Sequence, residues 1–248
     1  MPDVTVRFLG SGDAFGTGGR LPTCIHLDHP GGQVLIDCGG AVLASLSRAG
    51  LAPVAIDTIF LTHLHGDQFA GVPFVILEAC FVSQRSNPLV IAGPPDVESR
   101  VRQTLELLFP GAGAYVDERM TLRFVELVER RPTPLGPSTV EAYPVVHPSG
   151  STSFGLRVTV AGKTVAYSGD TEWTDALVDL AHEADLFICE CYSFETVVPY
   201  HLSYRTLQDR LPRLSAKRLI LTHLGREMFA HRPQIDLECA DDGQRLVV

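Results

Sequence analysis

The sequence predicts a single α/β domain over residues 1–248, and three observations carry that expectation. Apolar runs of strand length alternate with stretches of helical spacing, and hairpin-like segments interrupt the alternation in both halves. No linker or biased tract divides the chain. The chain also echoes itself. Thr58-Ile59-Phe60-Leu61-Thr62-His63-Leu64 recurs in form as Arg218-Leu219-Ile220-Leu221-Thr222-His223-Leu224, and Val34-Leu35-Ile36-Asp37-Cys38-Gly39 parallels Val165-Ala166-Tyr167-Ser168-Gly169-Asp170. Two such halves imply a pseudo-symmetric pair of sheets meeting at one edge, where a site can draw ligands from both.

The elements follow in order. Val4-Thr5-Val6-Arg7-Phe8-Leu9 is a strand by its β-branched content and partial alternation. It opens into a glycine-rich loop, Gly10 to Arg20, that no helix pattern follows, so phosphate-loop and dinucleotide readings fail on context. Strands are expected at 22–28 and 33–37, joined by Asp28-His29-Pro30-Gly31-Gly32. Helical spacing begins near Ala41 and ends at Gly50, a residue suited to the left-handed position after a helix. A strand at 57–62 leads into His63-Leu64-His65-Gly66-Asp67-Gln68, and an apolar helix at 73–83 follows. Next come a strand at 88–92, the Gly93-Pro94-Pro95 break, and a helix at 95–109 stopped by Pro110-Gly111. Strands at 121–128 and 138–145 flank the proline-rich link Arg131 to Pro137. A hairpin at 153–160 and 163–168 turns on Ala161-Gly162-Lys163. A helix of about ten residues, in the usual range, then leads to the strand Leu186-Phe187-Ile188-Cys189. A helix at 203–212, the strand Arg218-Leu219-Ile220-Leu221, and the short strand Arg245-Leu246-Val247-Val248 close the chain.

Bulk properties narrow the function classes. Net charge is −9, which argues against an extended nucleic-acid footprint built from clustered Lys and Arg. A small anionic substrate remains compatible, because a metal centre supplies its own positive field. No basic, apolar leader opens the sequence, and no stretch approaches the roughly 20 apolar residues of a membrane span. The six cysteines (24, 38, 80, 189, 191, 239) form no C-x-x-C pair and read as reduced, mostly buried thiols. A cytoplasmic protein without membrane association is the expectation.

Chemistry gathers just past the apolar strands. His63 and His65 stand at alternate positions, a spacing suited to one metal ion, with Asp67 beside them. His147 follows the run Val140 to Val146, Asp170 follows Thr164 to Gly169, and His223 follows Leu221-Thr222. Each alone is an ordinary loop residue; their conjunction points to a metal centre. His26, His29, His182 and His231 match nothing in that pattern and read as surface or packing residues.

On these residues the sequence resembles the metallo-β-lactamase-fold hydrolases, whose pattern is HxHxDH followed by a distant His, an Asp and a final His. His63, His65 and Asp67 match the first block, and His147, Asp170 and His223 the later three. The resemblance runs from Leu9-Gly10-Ser11-Gly12 to Ala240-Asp241-Asp242-Gly243. Within the family, Tyr167-Ser168-Gly169-Asp170-Thr171 and His201-Leu202-Ser203 resemble the tRNase Z and PhnP-like phosphodiesterase branch. It implies an αββα sandwich of two mixed sheets with the site along one edge. It also implies a first metal on His63, His65 and His147, and a second on Asp67, Asp170 and His223, with Asp170 bridging. Asp67 could further orient or deprotonate the attacking hydroxide. By the same resemblance, His201 supported by Glu190 would protonate the leaving group.

One position departs from the pattern: Gln68 stands where the family has the last His of its first block. A neutral amide oxygen is a poorer partner for zinc than imidazole nitrogen. One tight zinc site and a second, weaker site for zinc or manganese are therefore expected. The implied activity is hydrolysis by a metal-bound hydroxide of a small, anionic ester, foremost a phosphodiester and conceivably a cyclic one. Nucleic acid is not the expected substrate, since the stretch after Gly93-Pro94-Pro95, where the branch can carry a tRNA-gripping arm, runs through an ordinary helix pattern. Hydrolysis of a carboxylic, thio- or sulfate ester, and a non-hydrolytic binding protein with a decayed second site, stay open as alternatives. A homodimer follows only from family analogy.

Overall fold

Runs rich in Val, Ile, Leu and Phe become strands whose inward residues meet across a central core, and the computed structural model describes residues 3–248. In chain order the first half comprises β1 (Thr5–Gly10), β2 (Cys24–His29), β3 (Gly32–Ile36), α1 (Val42–Arg48), β4 (Ile56–Phe60), α2 (Gly66–Phe69), α3 (Val72–Phe81), β5 (Leu89–Gly93), α4 (Val97–Leu108), α5 (Ala112–Arg119) and β6 (Leu122–Glu126). The second comprises β7 (Thr133–Leu135), β8 (Ser138–Pro144), β9 (Phe154–Val160), β10 (Lys163–Tyr167), α6 (Ala176–Ala181), β11 (Leu186–Glu190), α7 (Tyr204–Arg210), β12 (Leu219–Thr222), α8 (Arg226–Ala230), β13 (Glu238–Cys239) and β14 (Arg245–Val247).

Two seven-stranded sheets result, ordered β14-β1-β2-β3-β4-β5-β6 and β13-β12-β11-β10-β9-β8-β7. Each is antiparallel at one side and parallel at the other: β3 to β6 run parallel in the first sheet, β10 to β13 in the second. Parallel neighbours need crossovers, and the helices supply them on the outer faces. Val6, Phe8, Ile25, Leu156, Val158 and Ile188 fill the space between the sheets. Leu46, Val75, Ile76 and Val101 pack the helices of the first half against their sheet, and Leu177, Leu180 and Leu207 do so in the second. The layering is the αββα sandwich of two mixed sheets that the resemblance implied, in the metallo-β-lactamase fold.

The structure revises several local expectations. Gly66–Phe69 forms one helical turn where a polar loop was expected, and Ala112–Arg119 resumes a helix after Pro110-Gly111. Within the proline-rich link, Thr133–Leu135 pairs with β8 as an edge strand, where Pro134 is tolerated. The helix after Asp170-Thr171 covers only Ala176–Ala181. The echo is half right. β3 and β10 occupy equivalent places, but the structural twin of β4 is β11, not the echoing β12. The hydrogen bonding agrees: Asp37, past β3, accepts from the Thr62 amide, and Ser168, past β10, accepts from the Glu190 amide.

Among the described residues, no helix is long and apolar enough to cross a membrane. All six cysteines are free, and Cys189 and Cys191 both belong to the core of the second half.

Candidate metal centre

The candidate residues collect where strands end and the chain turns. His63 and His65 follow β4, Asp67 and Gln68 lie in the single turn of α2, His147 follows β8, Asp170 follows β10, and His223 follows β12. Glu190 is the last residue of β11, and His201 lies in the loop before α7. The two sheets are tied together here, since the Phe154 amide at the start of β9 donates to the Thr62 carbonyl. His223 is held in the left-handed region (φ 57°), a conformation that costs a non-glycine residue about 1 kcal/mol or more and turns its ring inward.

His63, His65 and His147 converge with their ligand atoms within 4.8 Å of one another. Their rings meet edge to face with centroids 4.8–4.9 Å apart, the disposition of a tripod around one point. Outer hydrogen bonds set which nitrogen faces inward. The Thr62 hydroxyl donates to Asp37 Oδ2 (2.8 Å), so it accepts from His63 Nδ1–H (3.0 Å). His63 Nε2 is thereby left with its lone pair inward, buried and without any partner. His147 Nδ1 lies 3.0 Å from the Tyr200 carbonyl, an acceptor only, so its Nε2 also presents a lone pair, 3.0 Å from His65 Nδ1. An orphaned nitrogen inside three converging imidazoles is the donor set of a zinc-type ion, and these residues fit one.

A second group, Asp67, Asp170 and His223, satisfies the same 4.8 Å criterion. Asp170 Oδ2 lies 3.7 Å from His63 Nε2, 4.0 Å from His147 Nε2 and 3.4 Å from His223 Nε2, which puts its carboxylate between the two groups. His223 Nδ1 faces the Thr23 hydroxyl at 3.4 Å; that hydroxyl donates to the Gly12 carbonyl, again freeing Nε2. Gln68 is fully buried. Its amide nitrogen donates to Asp67 Oδ2 (3.2 Å) and Asp170 Oδ1 (3.4 Å), while its Oε1 is buried without a partner. As placed, Gln68 braces the two carboxylates, and a half-turn of the amide would present the orphaned oxygen instead.

Glu190 is fully buried and accepts from both the Thr171 amide and His201 Nδ1 (3.1 Å). The His201 ring lies 4.9 Å from that of His147 and stacks on His223 at 5.7 Å. His147, Asp170 and His201 form a third ligand-like group, so His201 stands at the mouth of the same cluster.

Burial dominates the electrostatics. It pushes His63 well below the usual imidazole range, helped by repulsion from His147, His65, His223 and His201. It also lowers His147 and His223 to about 4. Neutral imidazoles are the ligating form. Burial raises Asp170, reinforced by the charges of Glu190, Asp67 and Asp37; a cation is what this crowd of buried carboxylates lacks. His201 moves the other way: burial pulls it down, but the hydrogen bond and charge of Glu190 outweigh that and raise it. A groove of about 380 Å³ opens over the cluster, lined by Ala14, Phe15, Tyr192, Val198 and Pro199 in addition to the polar residues.

Sequence reading missed the supports. Asp37 and Thr62 lie inside the echoed segments but were read only as strand ends, and Thr23 carried no signal at all. The groove-lining Phe15 and Tyr192 were also passed over, because single aromatics in loops have no pattern.

Comparison with known proteins agrees with this arrangement. Residues 4–239 match the family described as "Anti-Pycsar protein Apyc1". The ribonuclease Z of Methanothermobacter thermautotrophicus is 28% identical over 282 residues, covering 96% of this chain and 91% of that protein. The crystal structure of human tRNase Z, short form, superposes with a TM-score of 0.77 at 26% identity, covering 98% of each chain. The metallo-β-lactamase fold protein YhfI from Bacillus subtilis superposes with a TM-score of 0.79 at 22% identity over the whole of both chains.

Proposed function

The chain belongs to the family described as the anti-Pycsar protein Apyc1 and is a metallo-β-lactamase-fold hydrolase related to ribonuclease Z, and we propose that it hydrolyses a small phosphodiester, plausibly a cyclic one. The observation that carries this reading is the His201–Glu190 pair, 3.1 Å apart, at the rim of the ligand cluster. A phosphodiester needs its leaving oxygen protonated, and a histidine kept protonated by a buried carboxylate is suited to that.

His63, His65 and His147 would hold a tight zinc ion, and Asp67, Asp170 and His223 a second, weaker zinc or manganese, with Asp170 shared and Gln68 as the poor fourth partner. When bound, such ions supply a water acidified toward neutrality and positive charge for the transition state. The chain's own residues do the rest. Asp67 orients the attacking water and accepts its proton. As the P–O bond breaks, His201 gives a proton from Nε2 to the leaving oxygen, its Nδ1 being held by Glu190. Acid–base assistance of this kind is worth ~10²–10⁴-fold.

The groove volume, about 380 Å³, favours a small ligand. So do the net charge of −9 and the 97–119 stretch, whose helices α4 and α5 lead straight into β6 without an inserted arm. RNA, the substrate class in the ribonuclease Z name, is therefore not our choice for this chain. Both halves contribute ligands, so we take residues 1–248 as one working domain.

Turnover of bis(p-nitrophenyl) phosphate by the chelated protein, with zinc or manganese added back, tests the reading. His65→Ala and Asp170→Ala should each abolish it. A pure, metal-loaded protein inert on phosphodiesters and other esters alike would overturn it in favour of a binding protein.

A further inference from the structure

Phe15 and Val197 are each 81% exposed, more than any other large apolar side chain among the described residues. A lone exposed apolar side chain is unremarkable on a protein surface. These two, however, sit on the two loops that flank the groove over the metal cluster: Phe15 lines it directly, and Val198 and Pro199, next to Val197, line its other side.

Both loops are built to hold still. Asp13, 1% exposed, accepts hydrogen bonds from the Phe15 amide (3.1 Å), the Thr17 amide (3.0 Å) and the Thr17 hydroxyl (2.7 Å), closing the first loop around its carboxylate. The loop then needs Gly18 at φ +68°, where the Phe229 ring lies so close that a Cβ would sit 2.5 Å from it. The second loop is pinned by Glu227, which accepts from the amides of Phe194, Glu195 and Thr196, and by the Tyr200 carbonyl facing His147 Nδ1. Glu227 and Phe229 belong to the same short helix, α8, so one element sets both sides of the groove. A phenyl ring held in water at a fixed place beside a ligand cluster is a preorganised binding surface.

We propose that Phe15 is a specificity-determining residue that stacks on a flat ring carried by the substrate, with Val198 and Pro199 closing on the ring's other side. The substrate class is then a phosphodiester with an aromatic or similarly planar group one or two bonds from the ester. This inference rests on the phosphodiesterase reading and adds to it what lies beside the phosphate.

Two probes sharing one leaving group test it: p-nitrophenyl phenyl phosphate and p-nitrophenyl methyl phosphate. The wild type should favour the phenyl probe, mainly through KM. Phe15→Ala should reduce that preference about tenfold, with kcat and melting temperature unchanged, and Phe15→Trp should retain it. Intrinsic reactivity cancels in the ratio of the two proteins. Equal effects on both probes overturn the proposal. So does an unchanged preference accompanied by a changed mass in solution, which assigns Phe15 to contact between copies. Calorimetric titration with phenylphosphonate and methylphosphonate separates this inference from the reading beneath it. If the wild type turns over neither ester yet binds phenylphosphonate about tenfold tighter, and Phe15→Ala does not, the ring site stands and the hydrolase reading falls. No preference for phenylphosphonate in the wild type overturns the ring site itself.

Discussion

Replacing Glu190 by Gln keeps the size of the side chain and an oxygen for His201 Nδ1, and removes only the charge. At 3.1 Å and an effective dielectric of ~20, the attraction between carboxylate and imidazolium is about 5 kcal/mol. Desolvation of a fully buried Glu190 takes back much of it. A net loss of about 1.4–3 kcal/mol corresponds to a ten- to hundredfold fall in rate wherever the proton on His201 limits turnover. The sign follows from the direction of the shift. Glu190 raises His201, so the acid form persists to higher pH, and removing the charge moves the alkaline limb of the kcat profile toward lower pH. Leaving-group chemistry separates this role from a structural one. p-Nitrophenolate departs without protonation, whereas an alkoxide does not. At pH 8, Glu190→Gln should therefore lose about ten- to hundredfold on a dialkyl or cyclic alkyl phosphodiester and under about threefold on bis(p-nitrophenyl) phosphate. An alkaline limb that stays in place, or equal losses on both substrates, would refute the assignment of His201 as acid.

Two further outcomes are expected. After dialysis the wild type should keep about one zinc per chain, while Gln68→His, which restores an imidazole beside Asp67 and Asp170, should keep about two; elemental analysis decides, and two equally tight ions in the wild type would count against the asymmetric centre. Asp37→Asn replaces the acceptor of the Thr62 hydroxyl by a donor, which reverses the relay and moves the His63 proton from Nδ1 to Nε2. Zinc affinity should fall ~10–100-fold with little change in melting temperature, measured by calorimetry; undiminished affinity would show that the relay does not set the tautomer.

Much of the fold was legible in the sequence because its cues are local. A run such as Thr58-Ile59-Phe60-Leu61 reads as a buried strand without knowledge of its neighbours, and a polar residue just past such a run stands where an α/β sandwich exposes its edge. The positions of His63, His65, Asp67, His147, Asp170 and His223 were reached in that way, and the structure brings them together. What remained hidden depends on contacts between distant segments. Thr23 meets His223 across 200 residues and Asp37 meets Thr62 across 25, so the direction of each imidazole is set by partners that no local window contains. Sequence similarity matched β4 to β12, whereas hydrogen bonding makes β11 its counterpart, because the echo records composition and pairing records topology. The opening motif shows the division most clearly. Its residue types announced a metal and marked Gln68 as the odd member. That the Gln68 amide braces two carboxylates while its oxygen goes unpaired follows only from the folded chain, which buries the side chain between groups 102 residues apart.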